Sequence, residues 1–199
     1  MNIVIIKYNA GNIESVNNAL NRLGVNAEIT ASHDKIKKAD KVIFPGVGEA
    51  STTMNYLRKH QLDKVIVSLK QPVLGICLGL QLMCSHSEEN NTTCLGIFEE
   101  KVKRFIPKPG EEHITKVPHM GWNAIYNLNS SLFSAETEDQ YVYFVHSYYA
   151  SLGEHTAATC NYIVPFSAAL QKNNFYATQF HPEKSGTVGA KILENFLKI

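Results

Sequence analysis

Apolar residues along the first part of the chain fall into two rhythms. Asn2–Ile6 is a nearly continuous apolar run, the signature of a strand buried on both faces. Ile13, Val16, Ala19, Leu20 and Leu23 then recur at a 3.6-residue period, which predicts a helix capped by Asn12 and ended by Gly24. Asn26–Thr30, Lys41–Phe44 and Pro72–Ile76 read as further strands, with a helical region between about Glu49 and Leu69. Strands alternating with helices imply a parallel sheet covered on both faces. From about Thr93 to Phe180 the pattern changes to short β-rich runs divided by Pro, Gly and Asn: Trp122–Tyr126, Tyr141–Val145, Thr156–Val164 and Phe175–Phe180. These predict an added mixed or antiparallel portion. Val188, Ile192, Leu193, Phe196 and Leu197 return to helical spacing. No internal repeat, low-complexity tract or linker interrupts the chain, so residues 1–199 are expected to form a single α/β domain.

Composition narrows the function classes. At 199 residues with 44% apolar and 19% charged residues, the chain is long enough to bury a sizeable core without disulfides or a structural metal. Its 19 Lys+Arg against 18 Asp+Glu give a net charge of +1 with no basic cluster, which argues against nucleic acid or anionic lipid as partner. The apolar run Ile3–Ile6 stops at Lys7, too short for a signal peptide, and no stretch approaches the roughly 20 apolar residues of a membrane span. Cys77, Cys84, Cys94 and Cys160 form no CxxC pair, and a cytoplasmic protein with reduced thiols is expected.

The densest chemical signal is Pro72–Gln81, an apolar strand running through Gly75-Ile76-Cys77-Leu78-Gly79 into a helix-compatible segment. This is the thiol counterpart of the GxSxG elbow, in which a nucleophile at a sharp strand-to-helix turn needs small residues two positions to either side. Helix N-terminal N–H groups stabilise an anion at that place. Taken alone, Cys77 also reads as a small buried hydrophobe. Phe180-His181-Pro182-Glu183 supplies what a cysteine nucleophile lacks: His181 as base, and Glu183 to orient it. In an extended segment, residues two apart point to one side. Thiolate, imidazole and carboxylate are also metal ligands, but zinc-type spacing is missing, so no metal is expected. Pro45-Gly46-Val47-Gly48 follows a strand and precedes a helix. With the N–H of Leu78 it suits an oxyanion hole. A plain turn is the alternative, and the spacing fits neither a Walker loop nor GxGxxG.

GICLGLQ together with FHPEKS resembles the class I (triad) glutamine amidotransferases, in which a Cys-His-Glu triad hydrolyses glutamine to glutamate and ammonia. PGVG at 45–48, PHMGWN at 118–123, YFVHSYY at 143–149 and HPEKS at 181–185 narrow the resemblance to the glutaminase subunits that serve imidazole glycerol phosphate synthases of histidine biosynthesis. The resemblance implies a flavodoxin-like, mostly parallel sheet flanked by helices, with an inserted mixed or antiparallel β portion. It implies that Cys77 is the nucleophile, His181 the acid/base and Glu183 its orienter, with Gly46, Val47, Gly48 and Leu78 around the oxyanion. Gln81, Glu89 and the backbone at Ser147 and Tyr148 would hold the amino-acid end of glutamine. No cofactor is implied. The implied partner is a (βα)8-barrel cyclase in a heterodimer, faced by Asn12, Trp122, Tyr143 and Lys184; a related synthase aminating a polysaccharide sugar is the alternative acceptor. One departure stands out: where the family usually shows Asp-Tyr-Gly-x-Gly-Asn, this chain has Lys7-Tyr8-Asn9-Ala10-Gly11-Asn12, which reverses a charge near the implied interface.

Overall fold

The computed structural model describes residues 1–9, 11–110, 113 and 115–199. Ala10, in the departing segment, lies outside them. The first half comprises β1 (Ile3–Ile6), α1 (Ile13–Arg22), β2 (Ala27–Thr30), α2 (His33–Lys38), β3 (Lys41–Gly46), α3 (Ala50–Lys59), α4 (Leu62–Ser68), β4 (Val73–Cys77) and α5 (Leu78–Met83). The second half is mostly strand: β5 (His86–Ser87), β6 (Thr92–Thr93), β7 (Lys101–Arg104), β8 (His119–Ala124), β9 (Tyr141–His146), β10 (Tyr148–Ala150), β11 (Thr156–Asn161), β12 (Pro165–Lys172) and β13 (Phe175–Thr178). A 3-10 turn at Pro182–Lys184 leads into α6 (Gly186–Lys198).

Five strands pair in parallel in the order β2-β1-β3-β4-β13. This is the flavodoxin-like order, in which ligands bind outside the carboxyl ends of the strands. Beyond β13 the sheet continues through β12, β10 and β7 in antiparallel pairing, and β8 and β9 form a separate antiparallel ribbon. The expected parallel sheet with an added mixed portion is therefore what folds.

The alternation of β1 explains the layering. Val4 and Ile6 pack into a core with Ile36, Met54, Leu57, Ile66 and Leu82, whereas Ile3 and Ile5 pack with Val16, Leu20, Ile192 and Phe196 of α1 and α6. Each such fully buried side chain contributes on the order of 1.5–3 kcal/mol. Burial on both faces is why the strand reads as a continuous apolar run rather than an alternating one.

Several elements differ from the sequence expectation. The region 49–69 is two helices, broken at Gln61, whose φ of 55° leaves the helical region. Helix α2 has a single buried residue, Ile36, and depends on Ser32 Oγ accepting from the Lys35 N–H. Strand β8 begins at His119, and Tyr126 joins the sheet only by a bridge to Thr159. The run 156–164 ends as a strand at Asn161, and β12 follows it. Asn12 occupies the position before α1 with φ 73° but makes no capping hydrogen bond; its side chain is used elsewhere. Among the described residues, no helix is long and apolar enough to cross a membrane.

Candidate active site

The carboxyl ends of β1, β3, β4 and β13 bring the chemistry-bearing segments together. Cys77 ends β4 and directly precedes α5, with φ 54° and ψ −106°. A non-glycine residue in that region stores strain, as a nucleophile elbow requires. The flanking glycines are needed for close approach. A methyl at Gly79 would overlap the carbonyl oxygen of Phe44, and one at Gly75 would lie 3.0 Å from Met83 Sδ and 3.1 Å from the Gly79 carbonyl carbon. The elbow is thus packed directly against β3 and its own helix.

His181 lies past the end of β13, fully buried, with its N–H donating to the Tyr143 carbonyl at 2.9 Å. Its Nδ1 donates to Glu183 Oε1 at 2.7 Å. The expected geometric reason is corrected here: Glu183 does not reach His181 from an extended strand, because Pro182–Lys184 is a 3-10 turn that curls the carboxylate back. Ser185 fastens this turn, its hydroxyl donating to the His181 carbonyl at 2.6 Å and accepting from the Tyr143 N–H at 2.9 Å. The Asn12 amide donates to the same Glu183 oxygen at 2.6 Å. His181 Nε2 is buried and, among the described residues, has no hydrogen-bond partner. Burial alone lowers the imidazole pKa, but Cys77 and Glu183 outweigh it and raise the value to about 10. The imidazole is therefore held protonated, between thiol and carboxylate, with one nitrogen free to serve the sulfur.

Cys77 opens onto a cavity of about 420 Å³, a volume suited to a small ligand. Val47, Gly48 and Leu78 line one part of it, and Gln81, Glu89, Ser147 and Tyr148 another. Gly46 lies just outside the lining and is buried; a methyl there would overlap the Tyr8 hydroxyl and meet Leu78 Cβ at 3.1 Å. Leu78 opens α5, so its N–H is one of the helix's unpaired first-turn donors. Glu89 Oε2 accepts from the Ala50 N–H at 2.7 Å, and burial pushes the carboxyl pKa up. Gln81 Nε2 donates to the Tyr148 carbonyl at 2.8 Å and to Gln179 Oε1 at 3.0 Å.

Three contributors carry no sequence signal of their own. Gln179 is fully buried and directs its amide at Cys77 Sγ, 3.7 Å away. Tyr8 donates to the Pro45 carbonyl at 2.5 Å and anchors the start of the 45–48 loop; burial, then the neighbouring Cys77, pushes its phenol pKa up. His146 lines the cavity beside Ser147. Gln179 and Tyr8 reach the site from distant segments, so no local spacing reveals them, and His146, though next to Ser147, is placed on the cavity wall only by the fold. Cys84, Cys94 and Cys160 are also buried, and burial pushes up all three thiols, to about 11 for Cys94 and about 12 for Cys160.

Of the four residues expected to face a partner, Trp122 and Lys184 are exposed and Tyr143 is half-buried, with Trp122 opposite Tyr143 in the β8–β9 ribbon. Asn12 is half-buried and spends its side chain on the triad.

A flavodoxin-like sheet that sets a strained cysteine on the wall of a cavity, with a buried histidine–carboxylate pair beside it, has the arrangement of a thiol-dependent amidohydrolase. The chain belongs to the glutamine amidotransferase class-I family, whose model matches residues 4–199. Within that family it is 62% identical, over the full length of both chains, to the imidazole glycerol phosphate synthase subunit HisH of Bacteroides fragilis. It is 44% identical to the subunit of the same name from Escherichia coli, again over the whole of both. Among solved structures, a glutamine amidotransferase superposes with a TM-score of 0.74 at 18% identity, covering 98% of this chain and 97% of that one. One from Thermotoga maritima gives 0.61 at 17% identity, covering 100% and 83%.

Proposed function

We propose that this chain, acting as one catalytic domain over residues 1–199, hydrolyses L-glutamine to glutamate and ammonia for the cyclase subunit of an imidazole glycerol phosphate synthase, in histidine biosynthesis. The observation that carries the reading is the pairing of His181 with Glu183 through one ring nitrogen, which leaves the other, buried and unpartnered among the described residues, for Cys77.

Cys77 sulfur attacks the side-chain carboxamide carbon of glutamine. The negative charge that develops on the carboxamide oxygen falls to the backbone N–H groups of Val47 and Leu78, in the loop framed by Gly46 and Gly48. His181 gives its proton to the departing nitrogen, the C–N bond breaks, and a glutamyl thioester remains. His181 then takes a proton from water as it attacks the thioester, and glutamate leaves. Glu183 fixes the ring's orientation and tautomer throughout. Glu89, the only carboxylate on the cavity wall among the described residues, suits the substrate's ammonium group, while Gln81 and the backbone at Ser147 and Tyr148 hold its amino-acid end.

The partner is a (βα)8-barrel cyclase bound as a heterodimer in the cytoplasm. It adds the ammonia to a phosphoribulosyl-formimino nucleotide, yielding imidazole glycerol phosphate and aminoimidazole carboxamide ribotide. Support for the docking face comes from the ribbon: Met120, Trp122 and Tyr141 are 67%, 54% and 60% exposed, an apolar patch beside Tyr143 and the His181 turn with its exposed Lys184.

Replacing Cys77 by Ala tests the division of labour. The complex with the cyclase is expected to lose glutamine hydrolysis while retaining synthesis from added ammonium salt. Loss of both activities in a folded complex contradicts it.

A further inference from the structure

Two buried histidines play no part in the chemistry above. His146 ends β9 and His119 begins β8, opposite each other in the ribbon register. His146 Nδ1 lies 2.7 Å from the Tyr148 carbonyl oxygen. A carbonyl only accepts, so Nδ1 carries the proton and Nε2 of the neutral ring is bare. That Nε2 lies 3.1 Å from His119 Nδ1, which must therefore be the donor, leaving His119 Nε2 bare in turn. The next group along, 3.4 Å away, is the Asn123 amide nitrogen, whose orientation is fixed independently: it also donates to the Asn161 carbonyl at 2.9 Å, while its oxygen accepts from the Ala124 N–H. The acceptor-only carbonyl at one end thus dictates every proton position in the chain.

The rings are clamped as well as bonded. His119 is stacked between Phe144 and Tyr162, with centroids at 4.8 and 4.0 Å, and His146 packs against Phe105 and Phe166. An added proton on either ring would set two N–H groups against each other. Burial holds both rings neutral, with pKa values of about 4 for His119 and about 3 for His146; for His146 the hydrogen bond to the Tyr148 carbonyl offsets part of the burial and the nearby protonated His181 reinforces it.

The far end of the chain is the substrate cavity. The carbonyl that His146 grips is the one that accepts from Gln81 Nε2; Gln81 in turn orients Gln179, and Gln179 points at Cys77 Sγ. We propose that His146 and, through it, His119 are positioning residues for the glutaminase reaction: a one-directional hydrogen-bond relay that fixes the Tyr148 carbonyl and, with it, the backbone and Gln81 that hold the amino-acid end of glutamine. The proposal rests on the glutaminase reading of this cavity.

The test uses the complex with the cyclase. Replacing His146 with Phe keeps a ring but removes the donor, and glutamine KM is expected to rise about tenfold with kcat changed far less, the scale of one lost hydrogen bond in a buried site. His146→Asn returns an amide donor near the Nδ1 position and is expected to restore most of that loss. His119→Phe leaves His146 Nε2 unpaired and is expected to raise KM about threefold. Nitrogen-15 NMR of the wild-type chain is expected to show both rings neutral and protonated at Nδ1, a measurement that needs neither substrate nor a folded variant. An unchanged KM in His146→Phe with only a lower melting temperature, or an Nε2-protonated His146, overturns the relay. Absence of glutamine hydrolysis by the wild-type complex would instead remove the glutaminase reading, leaving the tautomer result standing on its own.

Discussion

Gly189 sits in the first turns of α6, where its bare Cα allows the Pro182–Lys184 turn to lie against the helix. A methyl group there would fall 2.8 Å from both the Pro182 carbonyl carbon and Ser185 Cβ, and nearer still to the Pro182 oxygen. Carbon atoms prefer about 3.5–4.0 Å, so the turn has to retreat by about 1 Å. Helix propensity argues the other way, since Gly→Ala in a helix interior gains about 1 kcal/mol. The steric term wins, because overpacking against backbone costs about 1–3 kcal/mol and no rotamer relieves it. Gly189→Ala is therefore expected to lower the melting temperature by a few degrees, at about 2–4 °C per kcal/mol for a chain of this size. The larger effect is catalytic. A 1 Å retreat stretches the 2.7 Å His181–Glu183 bond beyond hydrogen-bonding range, and misplacement on that scale costs about a hundredfold in rate. Glutaminase kcat in the assembled complex is the assay, with ammonium-dependent synthesis as the control for assembly. Gly96→Ala separates strain from displacement: Gly96 has φ 68° and open space around it, so its substitution is expected to cost about 1–2 kcal/mol of stability without lowering kcat. Wild-type kcat in Gly189→Ala would refute the idea that this close approach sets the triad.

Two pH dependences follow from the same site. Because burial raises the Glu89 carboxyl pKa and its ionised form is the one proposed to pair with the substrate ammonium, glutamine KM is expected to rise on acidification as Glu89 takes up its proton, and Glu89→Gln should flatten that limb; an identical acid limb in wild type and Glu89→Gln would refute the role. His181 is raised in the folded state to about 10 from an unfolded value near 6.5, so its contribution to stability is complete below about pH 6.5 and is lost as pH rises through about 10. Melting temperatures of wild type and His181→Gln measured from pH 6 to 10 should converge with rising pH, and a constant gap would count against a protonated His181.

What the sequence made legible was whatever a short segment decides. The elbow around Cys77 and the His181-Pro182-Glu183 motif announce themselves because strand, turn and nucleophile are encoded within a few residues. The parallel strands are equally plain, since burial on both faces leaves runs such as Ile3–Ile6 without polar interruption. Elements with a single apolar residue are not: α2 has only Ile36, and β7, of sequence KVKR, only Val102. Strand β12 opens on Pro165, the first position of the strand, where a proline's missing donor is tolerated. Asn12 shows the limit most clearly. Its type and place suit a helix cap, yet its amide is drawn to Glu183, a competition that only the tertiary fold decides. Gln179 and Tyr8 act across long sequence separations for the same reason, as does the meeting of His119 with His146.

The placement of sulfur in this molecule brings it within one substitution of a single-site reporter. Cys84 and Cys160 are shut inside the packing, Cys77 faces the substrate cavity and Cys94 lines a separate one, so replacing Cys94 by Ser leaves one thiol for a dye or mass tag to find. Occupancy of the substrate chamber becomes countable, one label per chain, by weighing the intact protein.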